Sequence, residues 1–306
     1  MANLRHFKAN AVTPCVLSHY DSITELEADC ITRPLTRAQN KSVFAYAVSS
    51  GDCAQWAGAQ DWYGVGSLAT VQRCIREGYP EGAARVDSLY DAIAPSLPRA
   101  VDFRRQLVRG DQGDSLDIHA VNRGALDKAW TTAKRKARLG TGLIRIVADV
   151  AGNCNVSAEA LQWRGVAALA LSRAMTKAGY SVELVAGQVG VGMFSRHPEL
   201  HGVTTVTVKP RYAAVDTATL AASLCLPGFF RYAGFASIIR QADEQGYDAD
   251  RGLGRCVKLE TLLPVPEKIT QLVVPESVNS RERAQAWVVE AVNMLQGSTI
   301  TKEQSR

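Results

Sequence analysis

The chain has 306 residues, 46% of them hydrophobic and 21% charged, which is enough for one large domain or two modest ones and too apolar for a disordered majority. Its 35 Lys and Arg against 30 Asp and Glu leave a formal charge of +5, which permits nucleic acid or another acidic partner without requiring one. No window approaches the roughly 20 uninterrupted apolar residues of a membrane span, and the opening MANLRHFKANAVTPC lacks the apolar core of a secretory signal.

These features predict a soluble protein, inside a cell or assembled there, with no membrane partner. Seven scattered cysteines without a C-x-x-C pair are expected to be reduced thiols.

In chain order, residues from Met1 to about Thr36 show no sustained period and are expected to form an irregular arm. Arg37 to Ser49 reads as a short helix, and the Gly- and aromatic-rich Trp56 to Gly66 as a packed loop. Ser67 is placed to cap a helix that carries Val71 and Cys74 and stops at Gly78. Pro80 opens a second helix with Val86, Leu89, Tyr90 and Ile93 on one face.

Ser115 to His119 suggests a short strand. Ala125 to Leu139 (ALDKAWTTAKRKARL) reads as a basic helix closed by Gly140, which marks the expected domain boundary. Residues 1–140 are thus expected to be an arm and a mainly helical region, 141–296 an α/β domain, and 297–306 a flexible tail.

After the boundary the pattern alternates. Leu143–Ala148 is an apolar strand ending at Asp149, and a loop follows through Val156. Ser157 caps an amphipathic helix that ends at Gly179. Strands are expected at Tyr180–Ala186, Val203–Val208, Arg255–Glu260 and Ile269–Val274. Helices are expected at about Thr217–Gln241, broken at Pro227-Gly228, and at Arg281–Leu295 after Ser280. This order predicts an α/β fold with an open, mostly parallel sheet and helices on both faces. Ligands of such sheets sit at the carboxyl ends of the strands, which directs attention to Asp149.

The run IRIVADVAGNCNVSAEALQWRGVAALALSRAMTKAGYSVELVAG resembles the first strand, metal loop and first helix of von Willebrand factor A-like domains. It is closer still to a family found largely in bacteriophages and bacteria. That likeness also takes in Trp163-Arg164-Gly165, the Gly179–Glu183 run and Leu226–Arg231, and upstream Trp56-x-Gly58 and Gly78–Gly82. It implies an A-like C-terminal domain with a degenerate metal loop. Metal-binding A domains carry Asp-x-Ser-x-Ser, whereas here Asp149 keeps the acid, Ala151 replaces the first serine and Asn153 stands for the second. Asp149, Asn153, Asn155 and Ser157 are the candidate magnesium ligands. The bland alternative has Asp149 capping the next helix or bonding loop amides.

Other candidates are weaker. His197-x-x-x-His201 falls in a loop with no third ligand, and Gly187 to Gly192 has the wrong order for a dinucleotide fingerprint and reads as a turn. Cys154 has no partner histidine by sequence context. Lys128, Lys134, Arg135, Lys136 and Arg138 could contact phosphates with Trp130 stacking on a base. Arg104, Arg105 and Arg109 have Asp102, Asp111 and Asp114 nearby to neutralise them.

With no assembled catalytic constellation, the resemblance implies a noncatalytic interaction or structural protein encoded by a phage or mobile element. It would be a virion or assembly component, or an adaptor of an AAA+ ATPase, acting through a protein partner or self-assembly. The alternative is a nucleic-acid-binding protein that uses the basic segment 125–139.

Overall fold

The computed structural model describes residues 3–9, 13–32, 59–97, 104–110, 115–136, 142–150, 152, 156–191, 201–211, 213, 216–244 and 269–303. The expected helix at 37–49 and strand at 255–260 lie outside them. The chain begins with a hairpin of β1 (Asn3–Ala9) and β2 (Thr13–Tyr20), followed by α1 (Ile23–Thr32). Then come α2 (Ala59–Tyr63), α3 (Leu68–Glu77) and α4 (Pro80–Ile93). A small unit follows: β3 (Arg104–Gly110), β4 (Ser115–Leu116), α5 (Ile118–Asn122), a 3-10 turn at Leu126–Lys128, and β5 (Trp130–Lys136).

The remainder alternates: β6 (Leu143–Asp149), α6 (Ala158–Lys177), β7 (Ser181–Val191), β8 (His201–Lys209) and α7 (Thr217–Leu224). A helical turn (Pro227–Phe229) and a π-helical turn (Phe230–Gly234) lead into α8 (Phe235–Glu244). β9 (Ile269–Val274) and α9 (Arg281–Glu303) complete the chain.

Six strands form one sheet in the order β1-β2-β8-β7-β6-β9. β2 runs parallel to β8, and β6 runs parallel to both β7 and β9; β1 with β2 and β7 with β8 are antiparallel. The α/β class and the mostly parallel sheet flanked by helices are therefore as expected. The N-terminal arm is not irregular, however. Its residues supply two strands and a helix, because β2 finds an unpaired edge in β8, a partner about 190 residues away, and gains the ladder there.

One apolar cluster joins Ile144, Ile146 and Ala148 of β6, Leu184 and Ala186 of β7, Val206 of β8 and Leu272 of β9 to the helices. Leu26 of α1, Trp62 and Tyr63 of α2, Val71 of α3 and Leu89 of α4 belong to the same cluster, so residues on either side of 140 share one core. The described helices outside the small unit all contribute residues to this cluster. On the opposite face Val147, Val185, Val189 and Val203 are buried as well, and Arg145 Nε donates to Glu183 Oε2 at 2.6 Å across β6 and β7.

Helix α6 is buried on all sides, from Ala158 through Met175, rather than along one stripe. It lies between the sheet and a second helical layer of α4, α7 and α9, which it contacts along with β6 and β7. The approach to α7 is very close: a Cβ on Gly165 would overlap the Leu224 carbonyl. The Ser157 cap is as expected, its Oγ accepting from the Ala160 N–H at 3.2 Å.

Two Gly-rich or basic segments differ from expectation. Gly187 and Gly190 lie inside β7, not in a turn, because antiparallel pairing with β8 continues through Gly190 opposite Gly202. The basic helix expected at 125–139 is a 3-10 turn and the strand β5. Ala, Lys and Arg are good helix formers, but intrinsic propensity is small per residue, and the pairing of Trp130-Thr131-Thr132 and the residues after them with β3 overrides it. α9 continues through Glu303, into the tail expected to be flexible.

Candidate functional site

Among the described strands, the order reverses at β6. From β6 the chain proceeds to β7 and β8 on one side, then returns to β9 on the other. In open α/β sheets the crevice at the carboxyl ends of such neighbouring strands is where ligands bind. Asp149 ends β6 there, opposite Gly187 of β7, and it is only 7% exposed. Gly152 follows with φ +42°, and a Cβ on it would press into Leu161 of α6. Gly152 is therefore tucked against the helix that follows it.

Of the four candidate ligands, Asp149 and Ser157 are described, and Asn153 and Asn155 lie outside the described residues. Ser157 Oγ is engaged in capping α6. Among the described residues no three His, Cys, Asp or Glu side chains converge as a metal site. His201 opens β8 in strand conformation, so a helical His197/His201 pair is not formed; His197 and Cys154 are outside the described residues.

Two buried arginines bond the segments that follow β6 and β9. Arg231, in the π-helical turn and 1% exposed, donates through Nη1 to the Trp62 carbonyl at 2.9 Å and through Nη2 to the Val156 carbonyl at 2.8 Å. Its guanidinium also lies 4.4 Å from the Trp62 ring centroid. It thus ties the aromatic segment before α3 to the loop that leads from Asp149 into α6. Arg164 of α6 reaches the carbonyl of Glu276, just past β9, at 3.4 Å, while its Nε and Nη1 are buried without a hydrogen-bond partner.

Neither role was read from spacing. The signal available was a single cation inside an otherwise apolar run, LPGFFRYAGFASII for Arg231 and QWRGVAALAL for Arg164.

A second buried network closes the N-terminal strands onto α8. The Tyr20 hydroxyl donates to Asp29 Oδ2 at 2.7 Å and lies 2.8 Å from Ser237 Oγ, and Arg240 Nη2 donates to the same carboxylate oxygen at 3.0 Å. Burial pushes the Tyr20 phenol well above its ordinary range. A cavity of about 480 Å³ is lined by residues of 64–81, among them Arg73, Cys74, Glu77 and Tyr79. Burial raises the pKa of the Cys74 thiol, the opposite of what a nucleophile needs.

The basic candidates come together elsewhere. Lys128 is exposed in the 3-10 turn; Trp130, Lys134, Arg135 and Lys136 lie on β5; Arg138 is outside the described residues. β5 pairs antiparallel with β3, which sets Arg104 opposite Lys136 and Arg105 opposite Arg135. Two segments that the sequence kept apart thus form one basic ribbon. Asp102, Asp111 and Asp114, the expected neutralising acids, lie outside the described residues. The unit's buried Ala120 and Ala129 are not part of the central core, and Leu116, Ile118 and Leu126 around it are exposed.

The family profile of a domain of unknown function, DUF7192, matches residues 8–301. The chain belongs to the DUF7192 family. No curated protein and no solved structure matches it. The DUF7192 match takes in β2, the basic ribbon, β6 with Asp149 and most of α9 together, in agreement with a sheet and core built from both ends of the chain.

Proposed function

We propose that this DUF7192 protein is a noncatalytic interaction protein of phage or mobile-element origin, built on a von Willebrand A-like unit with a degenerate metal loop. Its role would be that of a virion or assembly component, or of an adaptor of an AAA+ ATPase. The observation that supports the reading is the order β8-β7-β6-β9, which leaves Asp149 at the switch point on a loop pressed against α6. The end of β6 is the sheet edge through which A-like domains commonly bind, so a change at Asp149, buried though it is, should disturb partner binding there.

The test is size-exclusion chromatography with light scattering on the full chain, with magnesium and with chelator, for wild type and Asp149→Ala. A discrete oligomer that Asp149→Ala weakens supports self-assembly through this edge. A monomer indifferent to both metal and substitution removes the crevice from the reading. Co-purification from expressing cells then separates the two roles, because an assembly component follows particles and an adaptor follows the motor.

A second reading, nucleic-acid binding, is favoured by a separate observation: the cross-strand pairing of basic residues in β3 and β5. It predicts salt-sensitive binding that falls when Lys134, Arg135 and Lys136 are neutralised.

A further inference from the structure

The positive charge of this protein is concentrated in one place. The fourteen residues of β3 and β5 hold six Lys and Arg (Arg104, Arg105, Arg109, Lys134, Arg135, Lys136) and no acid. Because the whole chain sums to +5, everything outside the two strands sums to −1. Within the ribbon the register sets cation opposite cation at two successive positions, Arg104 with Lys136 and Arg105 with Arg135. Like charges directly opposite one another destabilise a sheet, a cost that a bound polyanion offsets.

The alternation of a strand sorts these residues. Arg104, Lys134 and Lys136 occupy one face of the ribbon, and Arg105, Arg109 and Arg135 the other. A sheet that lies flat on a charged surface needs cations on one face only. Cations on both faces suit a slot with negative walls on either side. β4 pairs with Thr131 and Trp130 alone, so among the described residues the cationic end of the ribbon is two strands wide. The major groove of B-form DNA, about 12 Å wide between two phosphate backbones, admits a two-stranded β-ribbon. The deep, narrow major groove of an RNA duplex does not admit side chains.

We infer that the β3–β5 ribbon enters the major groove of double-stranded DNA and that its two faces contact the phosphates of opposite walls. This rests on the nucleic-acid reading above and narrows it to duplex DNA.

The experiment titrates the full chain into a fluorescently labelled mixed-sequence DNA duplex, the corresponding single strand and the RNA duplex of the same sequence, following anisotropy over a series of salt concentrations. Two double variants are compared with wild type, Arg104→Gln with Lys136→Gln and Arg105→Gln with Arg135→Gln. Thermal unfolding confirms that each is folded, and Arg105→Lys with Arg135→Lys retains the charge as a control.

The expected result is at least tenfold preference for duplex DNA. Each neutralised pair should reduce the slope of log K against log salt by about 2, at roughly 0.9 per phosphate contact. Loss confined to one pair would overturn the groove in favour of a flat contact. Equal affinity for single strand or RNA duplex would overturn it while leaving the nucleic-acid reading intact. No binding to any nucleic acid at low salt, or binding instead to anionic phospholipid vesicles, would end both.

Discussion

Arg231 and Arg164 are both buried arginines that bond carbonyls past the ends of strands, and they should behave in opposite ways. Arg231 satisfies carbonyls of Trp62 and Val156 and lies over an indole ring. Arg231→Met leaves those carbonyls unpaired and is expected to cost on the order of 3 kcal/mol in urea unfolding; Lys should not rescue it, since one ammonium cannot reproduce the planar fork. Arg164 has a single long bond and two buried nitrogens without partners. Arg164→Met should therefore be neutral or stabilising, by up to about 3 kcal/mol, because an apolar side chain of similar length removes an uncompensated buried charge. A strongly destabilised Arg164→Met protein would refute this. The sequence exposed both arginines as isolated cations in apolar runs, but acceptors 75 to 169 residues away were not legible in it.

At the scale of elements, α6 decides how tightly the two halves of the chain fit. Gly165→Ala is expected to push α7 away from α6 and cost about 3 kcal/mol or more, since the new methyl meets backbone that cannot rotate aside. Ser157→Ala should cost only about 1 kcal/mol, the worth of one N-cap bond. Thermal melts of the two variants check both the order and the spacing. α3, α4 and α6 were legible because caps and apolar spacing lie within the segment itself: Ser67 accepts from the Thr70 N–H, and Pro80 stands at the first turn of α4. β5 was not, because the residues that make it a strand are those of β3, which the pattern of Ala125–Leu139 does not contain.

For the whole molecule, burial raises the pKa values of Cys74, Cys225, Tyr20 and Tyr79, keeping them protonated in the folded state. The unfolded chain releases these protons first, at about 8.5 for thiols and about 10 for phenols. The native state then holds more protons, so stability is fully present below those values and falls as pH rises through them. Lys209 acts in the other direction: burial lowers its pKa, so the unfolded chain keeps this proton to higher pH than the native state does, and stability rises as pH passes through that window. Urea unfolding at pH 7 and at pH 10 should show the net loss, and Cys225→Ala should reduce its thiol part. A flat profile would show that these groups are hydrated in the folded protein.

Composition and local pattern alone determined the class of this protein: strand, loop and helix alternate after residue 142, and Asp149 closes the first of those strands. Such features depend on neighbours within a few residues, where caps, glycines and apolar periods act. Tertiary structure alone decided that residues 3–9 and 13–20 join the sheet, that the helices of both halves share one apolar cluster, and that two separate basic runs become one ribbon. Each of these depends on a ladder or a packed face whose partner is distant in the chain. A strand's hydrogen-bonding edge is satisfied by whichever segment folding brings to it, and no local spacing records which segment that is.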